Sequence, residues 1–120
     1  MARILLLHGL GGTAATMRAI AEALTAKGHD VHAPTLPGHG TTIHELAAHG
    51  WNDWMAAAAR WPADVVVGQS MGAALALALA VDERRPLVGV VAINPPQPDR
   101  DALEGLEWMI ERGHDRIDAP

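Results

Sequence analysis

Cysteine is absent from this 120-residue chain. No disulfide framework can form, and a reducing compartment is compatible with the composition. Basic residues are few: nine Lys and Arg against fourteen Asp and Glu leave a net charge of −5. They are scattered, with only Arg84 and Arg85 adjacent, which argues against a nucleic-acid binder. Long hydrophobic runs are missing as well. The opening stretch MARILLLHGLGG carries one arginine and only four consecutive aliphatic residues. That is too short for a signal-peptide core or a membrane span, so the expected location is cytoplasmic. What is present fits one globular domain with a modest core: 49% of residues are hydrophobic and 19% charged. Serine is scarce too. There is one, Ser70.

The chain alternates short aliphatic runs with helical patterns. RILLL (Arg3 to Leu7) reads as a buried strand ended by glycines. Met17, Ile20, Ala21 and Leu24 then form the apolar stripe of an amphipathic helix, and Gly28 stops it. DVHAPTLPGHG is a second short strand running into a Pro- and Gly-rich loop. Residues 43–60 are helical in parts, with Asn52 and Asp53 offering a cap and Pro62 closing the segment. DVVVG is a third strand. MGAALALALAVDERR alternates Leu and Ala, but its length and alanine content predict a helix. PLVGVVAINPP is a fourth strand, and DALEGLEWMIER a polar-faced helix with Leu103, Leu106, Met109 and Ile110 on one stripe. The resulting β-α-β-α-β-α-β-α order, with strands apolar on both faces, predicts an α/β fold: a parallel sheet with helices on both sides.

Ser70 stands in Gly68-Gln69-Ser70-Met71-Gly72, between the third strand and the helix after it. This is G-x-S-x-G in the context that gives it chemistry. A serine on a sharp strand-to-helix turn is exposed for attack, and glycines on either side let the two backbones come close. The following helix directs its amides and dipole at developing negative charge. The competing reading is a helix N-cap. A second motif, His8-Gly9-Leu10-Gly11-Gly12, follows the first strand directly. An acyl-transfer site needs two backbone N–H groups aimed at an oxyanion, here Met71 and Leu10. Each such donor is typically worth about 2.7–4 kcal/mol in the transition state. GLGGTA (Gly9 to Ala14) also fits the dinucleotide fingerprint G-x-G-x-x-A, leaving dinucleotide binding as an alternative. That motif expects an acid at the end of the second strand, where this chain has Ala33, Pro34 and Thr35.

Together HGLGG (8–12), PTLPGHG (34–40), GQSMG (68–72) and INPP (93–96) resemble the α/β-hydrolase family, particularly small bacterial carboxylesterases and monoacylglycerol lipases. ELAAHGWNDWMAA is similar to the acidic, Trp-containing segment that follows the PGHG loop in those esterases. The resemblance implies a spatial strand order of second, first, third, fourth. It implies Ser70 as nucleophile, the Leu10 and Met71 N–H groups as oxyanion hole, and His8, Gly9, Gly68 and Gly72 as supports of the two motifs. Residues 1–100 would be the N-terminal part of the core and 101–120 the start of a cap. No metal or cofactor is implied, and His29, His32, His44 and His49 show no metal-ligand spacing. His39 is expected to shape the PGHG loop, and the four tryptophans to pack.

Family members continue through two more strands that supply the acid and the histidine of the triad, so the chain is expected to be truncated and catalytically incomplete. Asp99 or Asp101 with His114 would meet the order Ser-Asp-His only formally, since His114 has no strand to fix it. The expected function is hydrolysis of small carboxylic esters, with thioester or peptide hydrolysis or acyl transfer as variants of the same site. A non-catalytic hydrolase-like module is the alternative of a different class. The fourth strand would be an open apolar edge, hence a possible edge-strand dimer.

Overall fold

The computed structural model of the chain describes residues 1–96, 104, 107, 108 and 111–113. Four strands, β1 (Arg3–Leu7), β2 (Asp30–His32), β3 (Val65–Gln69) and β4 (Gly89–Ile93), form one parallel sheet in the order β2-β1-β3-β4. A 3-10 turn (Ala14–Met17) leads into α1 (Arg18–Ala26), and α2 (Ile43–Ala47), α3 (Trp51–Ala59) and α4 (Met71–Ala80) complete the layers. Both the fold class and the strand order agree with the sequence reading.

Alternation along β1 divides the core. Ile4 and Leu6 face one side, with Met17, Val67 and the α1 stripe of Ile20, Ala21 and Leu24. Leu5 and Leu7 face the other, with Leu36, Ala58, Val66, Leu75, Ala76 and Leu79 from the PGHG loop, α3, β3 and α4. The helix expected over the Leu-Ala run is α4, and Gly28 takes the left-handed conformation (φ 89°) that ends α1. At the amino ends of the strands, Arg3 N and its guanidinium both donate to the Asp64 carboxylate. The guanidinium holds that carboxyl below its ordinary range.

Two expectations change. Asn52 and Asp53 lie inside the first turn of α3, whose N-cap is Gly50. Asp53 still serves that helix end, because its Oδ2 accepts from Gly50 N at 2.9 Å. The second change concerns β4, which is apolar yet not covered on both faces. Val91 pairs in register with the buried Val67 but is 49% exposed, since α1 does not reach across the sheet to it. Val81, Val88 and Leu77 are exposed nearby in sequence. Of the expected cap helix, Glu104, Glu107, Trp108 and Glu111 have helical backbone. Leu103, Leu106, Met109, Ile110, Asp99, Asp101 and His114 lie outside the described residues. No helix among the described residues is long and apolar enough to cross a membrane.

Candidate active site

The chain leaves β1 toward β2 on one side and returns to β3 on the other, so the loops after β1 and β3 part at the carboxyl ends of neighbouring strands. Such a divergence is where open parallel sheets form binding crevices. Here the two loops are the HGLGG and GQSMG segments. They share a cleft of about 230 Å³ lined by Gly9, Leu10, Gly12, Thr16, Gln69 and Ser70.

Ser70 is the residue between β3 and α4, with φ 55° and ψ −118°. A non-glycine residue in this region carries strain on the order of 1–3 kcal/mol and persists only where its surroundings hold it. They do so from both sides. Ser70 N–H donates to Ile93 O at 2.9 Å, and Ser70 O accepts from Ala73 N and Ala74 N in the first turn of α4. Ser70 occupies the N-cap position of α4, but its side chain makes no cap hydrogen bond, so its hydroxyl is not used to cap the helix. Instead the residue is exposed beside the glycine loop: a methyl group built on Gly9 would stand 3.2 Å from Ser70 Cβ and 3.8 Å from Oγ. Met71 is the first residue of α4, where a helix leaves its amide without an intrahelical acceptor. Its side chain packs against the core.

Gly68 and Gly72 set the approach of the elements. A Cβ on Gly68 would collide with the carbonyl of Gly72, and one on Gly72 would collide with the Leu7 carbonyl and lie 2.6 Å from His8 O. Absence of both methyl groups lets α4 start against the end of β1, which brings Met71 and Ser70 to the glycine loop.

His8 organises that loop. It is fully buried, and both ring nitrogens are engaged: Nε2 accepts from Leu36 N at 2.9 Å, while Nδ1 lies 2.8 Å from Gly9 O. Since the Leu36 amide can only donate, Nε2 carries the lone pair and Nδ1 carries the proton. The Gly9 carbonyl thus accepts from Nδ1–H and also from Gly12 N, at 3.0 Å. The peptide that contains this carbonyl also contains the Leu10 N–H. Peptide planarity makes the two antiparallel, so fixing the carbonyl fixes the N–H on the opposite side.

Burial lowers the pKa of His8, more than the Gly9 bond raises it, and the nearby His39 lowers it further. The folded state therefore resists a proton that the unfolded chain takes up near 6.5, the ordinary imidazole value. Because the unfolded state then binds more protons, this group's contribution is complete above that pH and falls as pH drops below it. The urea midpoint is expected to fall between about pH 7.5 and about pH 5. His8→Asn, which keeps a short donor for Gly9 O but cannot titrate, should show a smaller fall. An equal fall in both proteins would contradict the role assigned to His8.

The structure brings together Ser70, Leu10 and Gly9 at the cleft, with Met71, His8, Gly68 and Gly72 supporting or adjoining it. It does not place a carboxylate at the carboxyl end of β2, where the dinucleotide reading needs one; Ala33 and Pro34 follow His32. Thr16 and Gln69 were not singled out from the sequence. Gln69 adjoins the serine, and Thr16 reaches the cleft because its Oγ1 donates to Thr13 O at 2.7 Å, holding it over the glycine loop.

Known proteins are similar to this chain. Residues 4–119 match the model of the alpha/beta hydrolase family. A thermostable monoacylglycerol lipase of Bacillus sp. (strain H-257) is 38% identical over 100 residues, covering 76% of this chain and 39% of its own length. A magnesium-chelatase 30 kDa subunit of Rhodobacter capsulatus is 34% identical over 120 residues, covering 92% of this chain and 40% of its own. Among solved structures, one from a study of the metagenome-derived lipolytic enzymes LipS and LipT superposes with a TM-score of 0.75 at 35% identity. It covers 84% of this chain and 45% of that one. The chain thus spans about two fifths of the length of these curated relatives. By its sheet order, its strained serine turn and these matches, the chain belongs to the alpha/beta hydrolase family.

Proposed function

We propose that this chain carries the nucleophile and oxyanion donors of a serine hydrolase of carboxylic esters. One observation supports this above the others: its single serine is strained, exposed and set on a cleft shared with the glycine loop. Ser70 Oγ attacks the ester carbonyl carbon and gives its proton to a base. The carbonyl oxygen becomes an oxyanion between the Leu10 and Met71 N–H groups. Collapse expels the alcohol, which regains the proton, and leaves an acyl-serine for water to hydrolyse. The lipase and lipolytic relatives support an ester substrate.

None of the six residues lining the cleft is titratable. The base and its carboxylate partner are therefore assigned to groups outside the described residues, and residues 101–120 to the start of a cap. The same lack favours a second reading, a hydrolase-like module that binds without catalysis. Transfer of the butyryl group of p-nitrophenyl butyrate to Ser70, with Ser70→Ala as control, separates the two.

The open β4 edge bears on association. Among the described residues no strand pairs beyond β4, and that edge with its exposed Val91 offers a template for a second strand. Residues 1–120 alone are expected to elute earlier in size-exclusion chromatography as concentration rises, and Val91→Lys to elute as a monomer throughout. A wild-type chain that is monomeric at every concentration would contradict edge pairing.

A further inference from the structure

His39 has no part in those steps, yet it is only 5% exposed. Its ring meets His8 edge-on with centroids 4.7 Å apart, and meets Trp54 edge-on at 5.5 Å. Nδ1 lies 3.3 Å from Pro37 O, and Nε2 has no hydrogen-bond partner among the described residues. Burying an imidazole with one nitrogen unused is unfavourable where an apolar ring would fit, so its surroundings merit a reason.

Those surroundings are a clamp. Trp54 Nε1 on α3 donates to Pro37 O at 2.9 Å. Gly38, at φ 79°, lies so close to α2 that a Cβ there would stand 2.8 Å from both Glu45 O and His49 Cδ2. The segment from Leu36 to His39 is thus held by α2, α3 and His8 together. From this segment comes the Leu36 N–H that donates to His8 Nε2.

We propose that His39 is a positioning residue for the Leu10 N–H, acting through the tautomer of His8. Filling the space between His8 and Trp54, it keeps Leu36 N–H on His8 Nε2. That bond excludes a proton from Nε2 and obliges Nδ1 to carry it. Nδ1–H then holds the Gly9 carbonyl, and with it the Gly9–Leu10 peptide plane. Loss of the Leu36 bond would let the proton move to Nε2, placing a lone pair against the carbonyl and releasing the plane. The inference rests on the proposed function only where the Leu10 N–H is read as an oxyanion donor.

The test uses the 120-residue chain, labelled with 15N, as wild type, His39→Ala and His39→Phe. Two-bond proton–nitrogen correlations read the His8 tautomer, and hydrogen exchange reads the Gly12 amide, which donates to the same Gly9 carbonyl. Wild type is expected to show the Nδ1–H form. His39→Ala should mix the tautomers and speed Gly12 exchange about tenfold or more relative to Leu6 and Val66 in the sheet. His39→Phe fills the same space with a ring and should restore both. A single unchanged tautomer in His39→Ala, exchange that rises equally in the sheet, or no rescue by His39→Phe would overturn the proposal. If His39→Ala does not fold, Trp54→Phe, which deletes the bond to Pro37 O and trims the ring that meets His39, carries the same expectation for Gly12, and an unchanged rate there overturns it. Butyryl transfer to Ser70 is followed in parallel. No transfer in wild type counts against the proposed function, whereas the tautomer and exchange results decide the role of His39 independently.

Discussion

Gly72→Val is expected to abolish the native fold of this chain, and Gly72→Ala to destabilise it by about 3 kcal/mol or more. The obstacle is backbone. A Cβ at Gly72 would overlap the Leu7 carbonyl and crowd His8 O, and neither atom can turn aside without breaking β1 or the glycine loop. Moving α4 away instead would uncover Leu75, Ala76 and Leu79, which pack on the sheet. Domains of this kind have roughly 5–15 kcal/mol of stability in all, so the loss is a large share of it. Gly68→Ala meets the Gly72 carbonyl and should behave alike. Gly89→Ala is the control, because nothing lies within 4 Å of a Cβ there and its φ is ordinary. Urea unfolding followed by circular dichroism measures all three. A Gly72→Ala protein as stable as Gly89→Ala would mean that α4 and β1 are not in the close contact described.

These contacts also show what could be read in the sequence. The strand order followed from the resemblance to a known family, whereas the serine turn was legible by itself because its motif is local: glycines two residues either side of Ser70 report a crowded strand-to-helix junction. The cap of α3 lies two residues before Asn52 and three before Asp53, because Asp53 serves that helix from its third position, not from the cap. The exposure of β4 was invisible for a different reason. Apolarity says that a strand can be covered, not that a helix lies over it, and Val91 is as apolar as the buried Val67 beside it. The support of the glycine loop was the least legible. His8 is joined to Leu36 across 28 positions and Pro37 to Trp54 across 17, and no periodicity records such pairings.

The other large effect concerns chemistry. Residues 1–120 are expected to accept an acyl group on Ser70 and then stall. With no titratable residue among the described residues that line the cleft, none of these takes the serine proton during attack or activates water for the second step. The proposed oxyanion donors, Leu10 and Met71 N–H, remain, and such a site with substrate binding alone leaves about 10³–10⁴-fold acceleration over water in hydrolases stripped of triad members. An activated aryl ester has a leaving group good enough to acylate at that reduced rate. Deacylation expels the less acidic serine hydroxyl and lacks both base and activated water, so it should be the slower step. The expected record is slow release of about one equivalent of p-nitrophenol with little turnover after it.

The most direct measurement is therefore the mass of the intact chain after incubation with p-nitrophenyl butyrate, followed by peptide mapping of the adduct. The account predicts one butyryl group, on Ser70, absent from Ser70→Ala and formed more slowly when the glycine loop is loosened by His39→Ala. Butyrylation spread over Lys27, the N-terminus and the histidines, and unchanged in Ser70→Ala, would contradict it.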